Sequence, residues 1–223
     1  MDGLLINTED IYTEATSKVL KQFGKPPLTW DVKIEMQGLP GQAAAEKLIE
    51  SYELPITWEE VERLNANFQR QLWHKTAFLP GAAELVRHLK DNGIPIALCT
   101  SSGREKFDMK TAHLKHTFDL FDVIVTGDDS RIPKGRGKPF PDIWQLGLKL
   151  INEKLETQIK PEECLVFEDG IPGLQGGKAF GAYNIWVPHP EAYAVLGDTE
   201  AILEGKGELL KSLNDLDKLK FGI

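Results

Sequence analysis

Four short apolar runs, at residues 94–99, 123–126, 164–167 and 184–187, stand between turn-forming residues in the second half of this chain. They are nearly continuously apolar instead of alternating, which is how strands covered on both faces of a parallel sheet read. Helical patterns separate them. Residues 83–92, with Leu85, Val86 and Leu89, stop at Gly93; residues 104–116 follow the first run; residues 142–151, with Ile143, Leu146, Leu148 and Leu150, precede the third. Strands alternating with helices at these intervals require βαβ units, so the expected fold is α/β, an open Rossmann-like core with a parallel sheet.

The segment before this pattern differs, because residues 8–73 show helices and no strand run. Ile11, Ala15, Val19, Leu20 and Phe23 recur at helical spacing behind an Asn7 or Thr8 cap. Thr57 and Glu60 form a capping-box pattern that opens a helix through Val61, Leu64, Phe68 and Leu72. Pro80-Gly81 marks the return to the α/β pattern. The division expected is a core of residues 1–8 and 78–223 with an inserted helical unit at 9–77. The tail from 191 to 223, with Leu196, Ile202, Leu203, Leu209, Leu210, Leu213 and Leu216, reads as one or two closing helices.

At 223 residues and 41% hydrophobic, the chain can bury a substantial core. A net charge of -8 argues against a nucleic-acid or anionic-membrane partner, since such affinity comes from clustered Lys and Arg. Cys99 and Cys164 lie in apolar runs and read as two buried free thiols, which fits a reducing compartment. No stretch reaches the roughly 18 apolar residues of a membrane span, and no basic-then-apolar leader precedes Asp2. A cytoplasmic protein is the expectation.

The ends of the apolar runs carry the chemistry. Thr100-Ser101-Ser102-Gly103 closes the first run with hydroxyl and amide donors suited to an anion, or forms a plain turn and helix cap. Lys138 lies in the stiff loop Gly135-Arg136-Gly137-Lys138-Pro139-Phe140-Pro141, either directed at a ligand or solvated. Glu168-Asp169 ends the third run where open α/β sheets bind ligands. Adjacent carboxylates are hard donors suited to Mg²⁺, although a turn and a cap would also explain them.

Taken together, Asp2-Gly3, Thr100, Lys138 and Glu168-Asp169 fall in the order of the four motifs of the haloacid dehalogenase superfamily, which the chain resembles over essentially its whole length. The helical insertion matches the position of an α-helical cap. Ser101-Ser102-Gly103, Phe107-Asp108-Met109-Lys110-Thr111, Gly127-Asp128-Asp129 and Cys164-Leu165-Val166-Phe167-Glu168-Asp169 are similar to the pseudouridine-5′-phosphatase group and its uncharacterised fungal relatives. Phe107 to Thr111 reads more readily as helix packing than as substrate contact.

The resemblance implies a Mg²⁺-dependent hydrolase of a small phosphorylated metabolite, nucleotide-like or a sugar phosphate, with pseudouridine 5′-phosphate as the best single expectation. It makes Asp2, Thr100 and Lys138 catalytic and Thr100, Ser101, Ser102 and Lys138 phosphate-binding. It assigns the metal to Asp2, through its backbone carbonyl, and to Glu168 and Asp169. In the family scheme an aspartate two positions ahead of Asp2 attacks phosphorus at the end of a central strand. Neither that residue nor that strand is in these 223 residues, so the chain as written is expected to be inactive, with an unpaired gap in its sheet. A phosphomutase shares the same motifs, and a non-catalytic protein that binds a phosphorylated ligand or partner is the alternative from another class. Residues 37–41 and 4–8 are the candidates for specificity.

Overall fold

The computed structural model describes residues 1–36, 41–194 and 196–223. Gln37, Gly38, Leu39 and Pro40, named above as specificity candidates, lie outside the described residues. Two compact units result: Met1–Ile6 with Ala77–Ile223, and Asn7–Thr76.

The Asn7–Thr76 unit is helical, with α1 (Glu9–Gln22), α2 (Trp30–Met36), α3 (Gly41–Tyr52) and α4 (Trp58–Leu72). Its core gathers Leu20, Ala45, Leu48, Tyr52, Leu54 and Val61. At the start of α1 it is Asn7, not Thr8, that caps: Asn7 Oδ1 accepts from the Asp10 amide at 3.3 Å. At α4 the expected box is half formed. Thr57 Oγ1 accepts from the Glu60 amide at 3.4 Å, while the Glu60 carboxylate turns to the Arg63 guanidinium. Lys33 is buried yet paired, with Nζ 2.8 Å from Glu9 Oε2 and 2.9 Å from Thr13 Oγ1, and so ties α2 to α1.

The larger unit contains α5 (Ala82–Asp91), β1 (Ala97–Cys99), α6 (Arg104–Thr111), α7 (Lys115–Phe118), β2 (Val123–Val125), α8 (Asp142–Leu155), β3 (Leu165–Glu168), α9 (Ile171–Phe180), β4 (Tyr183–Trp186), α10 (Thr199–Leu203), β5 (Gly207–Leu209) and α11 (Lys218–Phe221). Every strand pair is parallel. Side chains alternate between two cores: Leu98 joins Leu85, Val86 and Leu89 of α5 on one face, and Cys99 joins Ile143 and Trp144 of α8 on the other. Cover on both faces is what the continuous apolar runs require. Leu4, Leu5 and Ile6, three of the specificity candidates, are buried in the first of these cores.

Three expectations are corrected. The tail carries the strand β5, whose Leu209 pairs with Trp186, between α10 and α11. The helix expected over 104–116 breaks after Thr111, whose hydroxyl donates back to the Phe107 carbonyl at 2.9 Å, a bond that competes with the helix ladder. Cys164 is half-buried, whereas Cys99 is buried.

Among the described residues the strands form two hydrogen-bonded groups, β1 with β2 and β3-β4-β5. Between them lies an apolar slot of about 590 Å³, walled by Leu98 and Cys99 on one side, Val166 and Phe167 on the other, and by α5 and α8. Among the described residues no helix is long and apolar enough to cross a membrane.

Candidate functional site

The β1–α6 turn is fixed before any ligand is considered. The Thr100 amide continues the ladder to the Val125 carbonyl at 3.0 Å, and the Gly127 amide donates to the Ser102 carbonyl at 2.9 Å. A Cβ on Gly127 would overlap the Ser101 carbonyl, so the two strand ends can approach this closely only with glycine there. Asp128 caps α6 from the adjacent turn, since both its oxygens accept from the Arg104 amide at 3.0 Å. A hydrogen bond from the Thr126 hydroxyl, with that amide, holds the Asp128 carboxyl below the usual carboxylate range.

Thr100 is buried, and its Oγ1 accepts from the Ser102 amide at 3.1 Å. That leaves the hydroxyl hydrogen of Thr100 to be donated. Ser101 is exposed at the turn. Ser102 directs its hydroxyl to Asp2 Oδ2 at 2.9 Å. Asp2 Oδ1 meets Lys110 Nζ at 2.7 Å. Burial alone would raise the Asp2 carboxyl. The Lys110 ammonium and the hydrogen bonds from Lys110 and Ser102 outweigh it and hold the group below the usual range.

Lys138 joins the two strand groups. Its Nζ donates to the Cys99 carbonyl, at the end of β1, at 3.2 Å and to Glu168 Oε1, at the end of β3, at 2.5 Å, and it lies 4.6 Å from the centre of the Trp144 ring. Burial would lower its pKa, but the Glu168 carboxylate reverses this and the ammonium is held above its ordinary value. Gly173, in the first turn of α9, cradles that carboxylate, and a Cβ there would overlap it. Trp186, fully buried in β4, donates from Nε1 to the Asp169 carbonyl at 3.0 Å, which fixes the backbone next to Glu168.

One continuous network therefore runs from Asp2 through Ser102 to Thr100, along the chain to Cys99, and through Lys138 to Glu168. It brings together the segments that the sequence singles out. The carboxylate of Asp2 is turned to Lys110 and Ser102, and among the described residues no three His, Cys, Asp or Glu side chains gather to hold a metal. What fits Mg²⁺ is the donor chemistry of Glu168 and Asp169 with a backbone carbonyl, because this ion takes one or two carboxylates and keeps several waters.

Lys110 was missed as a site residue. The signal was available in the spacing: Phe107, Lys110 and Thr111 fall on one face of α6, and all three are buried.

Parallel strands covered by helices on both faces, a helical unit inserted after the first turn, and polar groups converging at strand ends define a Rossmann-like α/β core. The chain belongs to the haloacid dehalogenase-like hydrolase family, whose model matches residues 1–187. It is 65% identical over 223 residues to a probable pseudouridine-5′-phosphatase of Saccharomyces cerevisiae, covering 100% of this chain and 94% of that protein. It is 34% identical to a probable pseudouridine-5′-phosphatase of Drosophila melanogaster, covering 100% and 91%. Among solved structures, a putative beta-phosphoglucomutase from Thermotoga maritima superposes with a TM-score of 0.76 at 30% identity, covering 100% of this chain and 97% of that one.

Proposed function

We propose that this site belongs to a Mg²⁺-dependent phosphatase of small phosphomonoesters, nucleotide-like or sugar phosphates, with pseudouridine 5′-phosphate as the leading substrate. The single observation that carries this reading is the network linking Asp2, Thr100, Lys138 and Glu168 across two strand ends, in a chain 65% identical to a probable phosphatase of that name.

Phosphoryl transfer needs an in-line nucleophile and donors for the charge on the transferring oxygens. In this reading Thr100 donates its hydroxyl hydrogen to a phosphoryl oxygen, with the Ser101 amide beside it, and Lys138 offsets negative charge. Glu168, Asp169 and the Asp2 carbonyl would hold Mg²⁺, which supplies further neutralisation of that charge when bound. Asp2, ionised in the resting site, takes up a proton as the negatively charged phosphoryl group binds, gives it to the leaving oxygen as the P–O bond breaks, and takes one back from the water that releases the phosphoryl group.

The nucleophile of this scheme is a carboxylate two positions ahead of Asp2, and these 223 residues carry none there. Groups that act as a unit lose several orders of magnitude when the nucleophile is removed, so the 223 residues alone bind without appreciable turnover. The test is phosphate release from a panel of phosphomonoesters, with Mg²⁺ or with EDTA, by this chain and by the same chain preceded by a strand ending in Asp. Release by the extended form with Mg²⁺ is expected; release by neither form sinks the reading, and strong release by the shorter form sinks the nucleophile assignment.

A mutase is the second reading, favoured by the named activity of the Thermotoga maritima structure. It predicts isomerised sugar phosphate, where the phosphatase reading predicts free phosphate.

A further inference from the structure

Lys110 is fully buried on the inward face of α6, beside Phe107 and Thr111. An ammonium in such a place is costly unless it is paired, and a methionine or leucine would fill the same volume at less expense. Its surroundings show what the charge is used for. Nζ lies 2.7 Å from Asp2 Oδ1 and 2.9 Å from Ser102 Oγ, while Ser102 Oγ donates to Asp2 Oδ2 at 2.9 Å. Each oxygen of Asp2 thus has its own donor, and the two donors are bonded to each other.

We propose that Lys110 is a positioning residue which, with Ser102, locks the Asp2 carboxyl in the single orientation that exchanges a proton with the leaving oxygen of the substrate. The proposal rests on the phosphomonoester reading above. The triangle removes both rotations by which a short carboxylate could turn away. Sub-ångström placement of a proton donor is worth orders of magnitude in rate. It also gives Ser102 a role different from phosphate binding, since its hydroxyl is committed to Asp2.

The test is kcat/KM in whichever form, original or extended, hydrolyses phosphomonoesters, measured on an alkyl phosphate and on 4-nitrophenyl phosphate. The alkoxide leaving group needs a proton; 4-nitrophenolate leaves without one. Lys110→Met is expected to lower kcat/KM about 100-fold on the alkyl ester, the low end of general-acid contributions, and by under about threefold on the nitrophenyl ester. Lys110→Arg should recover part of the loss. Equal loss on both esters would mean a merely structural lysine and overturns the proposal. If Lys110→Met does not fold, Ser102→Ala, which removes one corner of the triangle, is expected to show the same selectivity for the alkyl ester, and equal loss there overturns the proposal. If no form hydrolyses any phosphomonoester, the functional reading has failed on its own, and crystal structures of the 223-residue chain decide about the lysine. Asp2 should leave Ser102 in Lys110→Met, or move off its place beside Lys110 in Ser102→Ala; an unmoved carboxylate overturns the proposal.

Discussion

Lys138 and Glu168 meet at 2.5 Å with side chains that are only 11% and 7% exposed, and the lysine comes from a loop while the glutamate ends a strand. Two charges taken out of water this far stand only because each has the other. Removing one partner leaves the second uncompensated. Lys138→Met and Glu168→Gln are each expected to cost about 3–5 kcal/mol in urea denaturation, and Lys138→Met combined with Glu168→Gln should cost less than the sum of the two single losses. An additive double variant would contradict the pairing.

The absence of a side chain at Gly173 makes room for that glutamate. Gly173→Ala adds a methyl where the carboxylate now sits, so either α9 or Glu168 must move. Overpacking of this kind costs about 1–3 kcal/mol, measurable as a lowered urea midpoint at unchanged m value. A neutral or stabilising Gly173→Ala, the usual outcome for glycine to alanine in a helix, would show that the cradle is not tight.

The thiols offer a check away from the site. Burial pushes Cys99 up to about 12, and burial with the charges of Glu163 and Glu162 pushes Cys164 from 9.0 to about 11. Only the thiolate reacts, so at pH 8 Cys164 should be labelled by a disulfide reagent about 100-fold more slowly than a free cysteine, and Cys99 only on unfolding. Rapid labelling of either thiol in the folded protein would contradict this packing.

Much of the core was readable because its strands are covered on both faces. A run such as Val123 to Val125, apolar at every position and closed off by turn residues, suits a strand between two helix layers and little else. Residues 94–96 fell outside the ladder for a local reason: Pro95 has no amide hydrogen, and the Ile96 amide is satisfied by Asp122 Oδ2 at 3.0 Å instead. Helix α8 outruns its apolar period, ending at Leu155 where the sequence suggested 151, because Glu153 and Lys154 extend a helix without contributing to its buried stripe. Strand β5 was hidden because Gly207-Glu208-Leu209 is too short to show a period, and only its parallel pairing with β4 makes it a strand. The positions of Thr100, Lys138 and Glu168 were visible, but the sharing of Lys138 between Cys99 and Glu168 was not, since nothing in a sequence says which carbonyl a lysine will reach. Lys110 lies in the stretch Phe107 to Thr111 that reads as helix packing, and its pairing with Asp2, 108 residues away in the chain, was not legible for the same reason.

The slot between β1 and β3 gives the site an unusual mechanical character. Among the described residues Thr100 and Glu168 share no backbone ladder, and Lys138 spans the divide between β1 and β3. Alignment there is a tolerance set by side-chain volumes in α5 and α8. A methyl gained or lost at Leu89 or Leu148, both of which line the slot, is therefore expected to shift that alignment without touching Thr100, Lys138 or Glu168.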